Sequence, residues 1–235
     1  MLAVGLSETD INGYLEKAAA QFGEAGISIG CINSPKSVTI TGREDQITWL
    51  KTVLDENQIF SRKLAVSIAY HSPILERIVP EYMELMGTLS SQDLPETTPM
   101  VSSVTNELAS FKELSQASYW AKNLISPVKF STALAHACSL QKIDNILEIG
   151  PHSALQAPIK EIIKGVKKTE SIEYSSILIR SVPATQTLLE SIGSLHCRGH
   201  SMNLSKVNGH HSSDSMPVVL SDLPEVRTHV SPCSH

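Results

Sequence analysis

The strongest constraint on this chain lies in its first seventy residues, where the spacing of the apolar positions switches between two periods in a fixed order. Met1-Leu-Ala-Val-Gly-Leu6 is a short apolar run that reads as a strand entered abruptly. Ser7-Glu-Thr-Asp10 has the spacing of a helix capping box, and Ile11, Tyr14, Leu15, Ala18 and Phe22 then recur at helical intervals until Gly23. Ile27, Ile29 and Cys31 alternate, Asn33-Ser-Pro-Lys36 supplies a turn, and Val38 and Ile40 alternate again, which predicts a hairpin. Thr41-Gly-Arg-Glu44 repeats the capping pattern ahead of Ile47, Leu50, Val53 and Leu54. In the run Lys63-Leu-Ala-Val-Ser-Ile-Ala-Tyr-His-Ser72, Leu64, Val66, Ile68 and Tyr70 alternate with Ala65, Ser67 and Ala69, predicting a strand with His71 at its tip. The order is βαββαβ, that of a ferredoxin-like unit, placed at residues 1–66.

His71 is the residue here best placed to act as a base, and it lacks a nucleophile. A serine nucleophile stands up from a sharp strand-to-helix turn only where small residues flank it; the Gly-x-Ser-x-Gly spacing at Gly26-Ile-Ser-Ile-Gly30 lies inside the alternating run read as a strand, not at such a turn, so it supplies no nucleophile elbow. Ser153, in Gly150-Pro-His-Ser-Ala154, is the nearest rival, but it lacks the small-residue turn that should follow; its expected role is to cap a helix beginning at Ala154. Asp144, Glu148 and His152 are spaced by four, as on a metal-binding helix face. The run from Ile146 to Ile149 is strand-like, however, and sends successive side chains to opposite faces, so no metal site is expected.

The middle of the chain alternates strands with helices, the pattern of a parallel α/β sheet. Helices are expected at Ile74–Leu89, at Leu114–Leu124 ending before Ser126-Pro127, around Phe130, Leu134, Ala137 and Cys138, from Ala154, and at Leu188–Leu195. Strands are expected at Met100–Val104, Asn145–Ile149 and Ile177–Ile179. Beyond Gly199, the stretch Asn208-Gly-His-His-Ser-Ser-Asp-Ser215 is polar and reads as a flexible linker, with His210, His211 and Asp214 solvated.

Lys and Arg number 19 against 24 for Asp and Glu, a formal charge of −5 without a basic stripe, so nucleic acid is not an expected partner. Cys31, Cys138, Cys197 and Cys233 are too scattered for a zinc site or a disulfide scaffold and fit a reducing, cytoplasmic setting. The opening apolar run is too short for a signal peptide or a membrane span.

Seven motifs stand in one order: Cys31-Ile-Asn-Ser-Pro35, Ser37-Val-Thr-Ile-Thr-Gly42, Ala69-Tyr-His-Ser72, Ser102-Ser-Val-Thr105, Tyr119-Trp120, Asn123-Leu-Ile-Ser-Pro-Val128 and Leu147-Glu-Ile-Gly-Pro-His-Ser-Ala-Leu155. Together they resemble the malonyl-CoA:acyl-carrier-protein acyltransferase domains of fungal type I, highly reducing-like polyketide synthases, over roughly residues 1–175. Ser215-Met-Pro-Val-Val-Leu-Ser-Asp-Leu-Pro224 is similar to the linker that follows them. The resemblance implies a ferredoxin-like small subdomain (1–66), the second half of a hydrolase-like α/β large subdomain (67–198) and a truncated linker (199–235). It implies His71 as general base, the main-chain carbonyl of Asn123 as the group fixing its tautomer, and Tyr70 as the aromatic that favours malonyl over branched extenders. Malonyl-CoA would be the substrate and a phosphopantetheine-bearing acyl carrier protein the acceptor, with no cofactor or metal of the chain's own and no membrane partner.

The family's nucleophilic serine, its carboxylate-binding arginine and its oxyanion-hole glutamine fall ahead of the matching stretch, so none is assigned here. Two readings follow from that: one part of an acyltransferase completed by the missing N-terminal half or the rest of a megasynthase, and a non-catalytic remnant or carrier-protein docking module.

Overall fold

A computed structural model describes residues 1–89, 98–140, 142–166 and 172–207. The chain divides into two compact units, Met1–Arg180 and Ser181–His235.

The first unit opens with β1 (Leu2–Val4), α1 (Glu8–Phe22), β2 (Ile27–Ser34), β3 (Ser37–Gly42), α2 (Glu44–Glu56) and β4 (Ser61–Lys63). The four strands form one antiparallel sheet in the order β2-β3-β1-β4, with Leu2 opposite Ile40 on one side and Lys63 on the other. Local chemistry fixes each boundary. The Ser7 side chain accepts from the Asp10 N–H at 3.1 Å, capping α1, and Gly23 ends that helix at φ 72°, where a side chain is disfavoured. Gly42 is needed at φ 139°, since a Cβ there would lie 2.2 Å from the Gly26 carbonyl oxygen. Leu2, Val4, Ile11, Ala18, Val38, Ile40, Ile47, Leu50 and Leu54 interlock in a core with each at most 1% exposed. Each large member contributes about 1.5–3 kcal/mol through burial.

Three expectations for this region are corrected. The second capping box is absent: α2 is preceded by Arg43 without a side-chain cap, and Thr41 is fully buried with its hydroxyl turned elsewhere. In β2 a register shift between Ile29 and Cys31 breaks the alternation, so Ile32 and Ser34 bury alongside Ile27 while Cys31 is half-buried. Last, β4 stops at Lys63. Residues 64–70 are not a strand, and Val66, Ile68 and Tyr70 are all exposed.

Beyond β4 the elements shorten. The expected helix at 74–89 is instead a 3₁₀ turn, Pro73–Ile78, and then α3 (Val79–Met86), because Pro80 has no N–H to donate and is accommodated only in a first helical turn. Met100–Val101 is β5, and it pairs antiparallel with β6 (Leu108–Ala109), which the sequence did not foretell. The single helix expected at 114–124 is two, α4 (Phe111–Leu114) and α5 (Ala117–Ile125), parted at Ser115 and Gln116. Next come α6 (Phe130–Leu140), β7 (Asn145–Glu148), α7 (Gln156–Gly165) and β8 (Glu173–Ser176). β7 and β8 form the expected parallel pair, but the last strand is at 173–176 rather than 177–179. Ser153 does not cap α7 through its side chain; that helix follows Leu155, whose N–H is held at 3.2 Å by the carboxylate of Glu148.

In the second unit α8 (Ala184–Cys197) covers the helix expected at 188–195, and α9 (Leu204–Val207) adds a turn of helix where a linker was expected. The stretch with His210, His211 and Asp214, like Cys233, lies outside the described residues. Among the described residues, no helix is long and apolar enough to cross a membrane.

Candidate active site

His71 sits on a tight turn rather than at a strand tip, and every link of that turn is a named hydrogen bond. The Ser72 hydroxyl donates back to the Ala69 carbonyl at 2.7 Å, and the Thr41 hydroxyl, from the end of β3, donates to the Tyr70 carbonyl at 2.7 Å. The Leu75 N–H donates to the Ser72 carbonyl at 3.1 Å, opening the 3₁₀ turn that follows. Held at both ends, His71 takes φ 56°, the left-handed region that histidine tolerates better than most residues with a Cβ.

Its ring and backbone are both clamped by the C-terminal end of α5. The His71 N–H donates to the Leu124 carbonyl at 3.0 Å, and Nδ1 lies 3.0 Å from the Asn123 carbonyl oxygen. A carbonyl oxygen only accepts, so Nδ1 carries the proton and Nε2 the lone pair. Among the described residues no hydrogen bond falls on Nε2. The geometry is that of a base whose second nitrogen is oriented by an acceptor, with a main-chain carbonyl in the place an aspartate takes in a hydrolase triad.

Of the residues singled out from the sequence, the structure brings His71, Asn123 and Tyr70 together. Tyr70 precedes the imidazole and is 41% exposed. The structure separates the others. Glu148 is buried at 9%, accepts the Tyr174 hydroxyl at 2.5 Å and holds the Leu155 N–H, a structural role. Burial first, and then this hydrogen bond, push the Tyr174 phenol up to about 12. His152 accepts the Arg180 N–H on Nδ1 at 3.1 Å. Among the described residues no three His, Cys, Asp or Glu side chains converge on a metal position. Burial pushes the Cys31 thiol up to about 11, the opposite of what a nucleophilic cysteine needs.

Sequence reasoning missed Thr41 and Ser72, which shape the turn, and the Leu124 carbonyl. The signal for Thr41 was present and misread, since its position ahead of α2 imitates a cap.

The α/β chain presents an imidazole oriented by a helix-terminal carbonyl, an arrangement compatible with acyl transfer, and comparison with known proteins supplies the class. The profile of the acyl transferase domain family matches residues 1–202, and the chain belongs to that family. Among its relatives is highly reducing polyketide synthase 2 of Gibberella zeae, 36% identical over 217 residues, which span 88% of this chain and 8% of that protein. In fold it is similar to the acyltransferase domain from the second module of the salinomycin polyketide synthase, with a TM-score of 0.72 and 22% identity over 92% of this chain and 48% of that one. It is also similar to a malonyl CoA-acyl carrier protein transacylase from Clostridium perfringens, with a TM-score of 0.66 and 18% identity over 84% of this chain and 57% of that one. The chain thus spans about half the length of these solved structures and under a tenth of the fungal synthase.

Proposed function

We propose that this chain contributes the histidine-bearing part of a malonyl-type acyltransferase within a polyketide synthase. The observation that carries the proposal is the 3.0 Å contact from His71 Nδ1 to the Asn123 carbonyl, which leaves Nε2 as a fixed proton acceptor. A serine outside the matched stretch attacks the malonyl thioester. Its proton passes to Nε2 as the Oγ–C bond forms, the C–S bond breaks, and the imidazolium returns the proton to the departing coenzyme A thiolate. In the second half-reaction Nε2 takes the proton of the carrier protein's phosphopantetheine thiol. The thiolate attacks the acyl-serine, and the serine leaves with that proton. Both steps are redox-neutral and call on no group beyond the imidazole, the two thiols and the serine.

In this proposal residues 1–66 are the ferredoxin-like small subdomain, 67–198 belong to the hydrolase-like large subdomain, and 199–235 begin the linker that follows it. Tyr70 lines the acyl pocket and favours malonyl over bulkier extenders. The setting is cytoplasmic, and the partners are malonyl-CoA, an acyl carrier protein and the serine-bearing part of the domain.

The test is reconstitution. Fuse the serine-bearing N-terminal half of a related acyltransferase ahead of Met1 and follow loading from radiolabelled malonyl-CoA. His71→Asn removes the base while keeping a residue suited to positive φ, and should lower the rate about a hundredfold or more. Asn123→Ala keeps the carbonyl and should cost only a fewfold. The 235-residue chain alone should form no malonyl adduct on any serine, Ser153 included, by mass spectrometry. Loading that is indifferent to His71 would sink the proposal in favour of a docking module.

A further inference from the structure

Helices leave their last carbonyls without intrahelical partners, and at the end of α5 two of them, those of Asn123 and Leu124, face His71. The Lys122 carbonyl accepts the Ser126 N–H at 2.9 Å, the last regular bond. The next three carbonyls, of Asn123, Leu124 and Ile125, would take their donors from residues 127, 128 and 129. Val128 and Lys129 are diverted: the Val128 N–H donates to the Gly30 carbonyl and the Lys129 N–H to the Ser103 carbonyl, each at 2.8 Å. Residue 127 is a proline and has no N–H at all. It also forces its predecessor out of the helix, and Ser126 is extended at φ −94° and ψ 154°.

We infer that Pro127 is a positioning residue for His71. It leaves the Asn123 carbonyl without a helical donor, so that the imidazole Nδ1–H is its partner and the proton-accepting lone pair is locked on Nε2. Any other residue at 127 restores an N–H four residues beyond Asn123, the spacing of a helical bond, in direct competition with the ring. The inference deepens the general-base reading above, but its test needs no catalysis.

Label the histidines of the full 235-residue chain with nitrogen-15, assign His71 by comparison with His71→Asn, and read the ring shifts at a pH where imidazole is neutral. In the native chain Nδ1 should show the protonated, pyrrole-type shift and Nε2 the pyridine-type shift. Pro127→Ala should reduce that tautomer bias by about tenfold, the ratio set by one neutral hydrogen bond, and should slow hydrogen exchange at the new amide of residue 127. Asn123→Ala should leave the bias intact. A native ring protonated on Nε2, an undiminished bias in Pro127→Ala with a fast-exchanging residue 127, or a bias abolished by Asn123→Ala would each overturn the inference. If Pro127→Ala fails to fold, Pro127→Gly restores the same N–H with less drive to extend the helix, and the native-chain and Asn123→Ala measurements stand on their own. A failure of malonyl loading with the tautomer pattern intact counts against the general-base reading alone.

Discussion

Residues 1–63 and residues 64–180 share a compact unit but satisfy their apolar surface in different ways. The first stretch builds a four-stranded antiparallel sheet and two helices whose large apolar residues meet in one core. Among its described residues, Phe60 stands out as a large apolar side chain left exposed. The second stretch has two two-stranded sheets and a series of short helices, and exposes Val66, Ile68, Leu85, Leu108, Leu147 and Ile149 among others, with Leu85 at 80% and Ile149 at 79%. An antiparallel sheet with helices on it closes locally. A parallel pair needs covering on both faces, and the side chains around β7 show that need unmet. The difference teaches that stability and the proposed chemistry are housed separately here: the well-packed stretch supplies the anchor at Thr41, and the open one carries His71, Tyr70 and Asn123 of the proposed site.

The comparison is most easily broken by amide hydrogen exchange. Amides of β1, β3 and α2 should exchange about a thousandfold more slowly than those of β7 and β8, since buried ladders open only with the whole core. Uniform protection from residue 1 to 180 would show that one cooperative core serves both stretches. Point substitutions sharpen the same contrast at lower amplitude. Leu50→Ala should cost about 2–5 kcal/mol in urea unfolding, while Leu85→Ala should fall within about 0.5 kcal/mol of the parent. Equal costs would erase the distinction.

The smallest effect is one of pH. The Cys31 thiol is raised from 9.0 to about 11 and the Tyr174 phenol from 10.0 to about 12, both chiefly by burial. Each is held neutral by the fold, so its contribution is complete below the ordinary value and is lost as the pH climbs through the raised one. The first stretch should therefore begin to lose stability from pH 9 and the second from pH 10. Cys31→Ala should flatten the earlier decline and Tyr174→Phe the later one, as followed by thermal melting against pH.

How far the sequence could be read follows the same division. Along α1 period and punctuation agree: Ile11, Leu15 and Ala18 mark a helix, and Ser7 and Gly23 bound it, because each residue acts within one turn of its own position, whereas the bulge in β2 and the false cap at Thr41 depend on cross-strand contacts. The run 64–70 failed because alternation implies a strand only where one face is buried, and Val66, Ile68 and Tyr70 find nothing to bury against. Pro80 marks the break between the 3₁₀ turn and α3 in the sequence, but the apolar run around it has the continuous look of one helix. His71 and Asn123 were legible through ordered motifs, but the turn that presents the ring depends on Thr41, thirty residues away. No local pattern carries such a contact.

The parallel bridge between Cys31 and Val128 has a further consequence, in time rather than in space. It joins segments about a hundred residues apart, and the Ile32 N–H and Gly30 carbonyl that grip Val128 exist as a pair only once β2 is seated in its sheet. Contacts of that separation incur a large loop-closure entropy and form late on the folding route. On that ordering the acceptor for the imidazole would be docked after the sheet, and until it docked His71 would sample both tautomers.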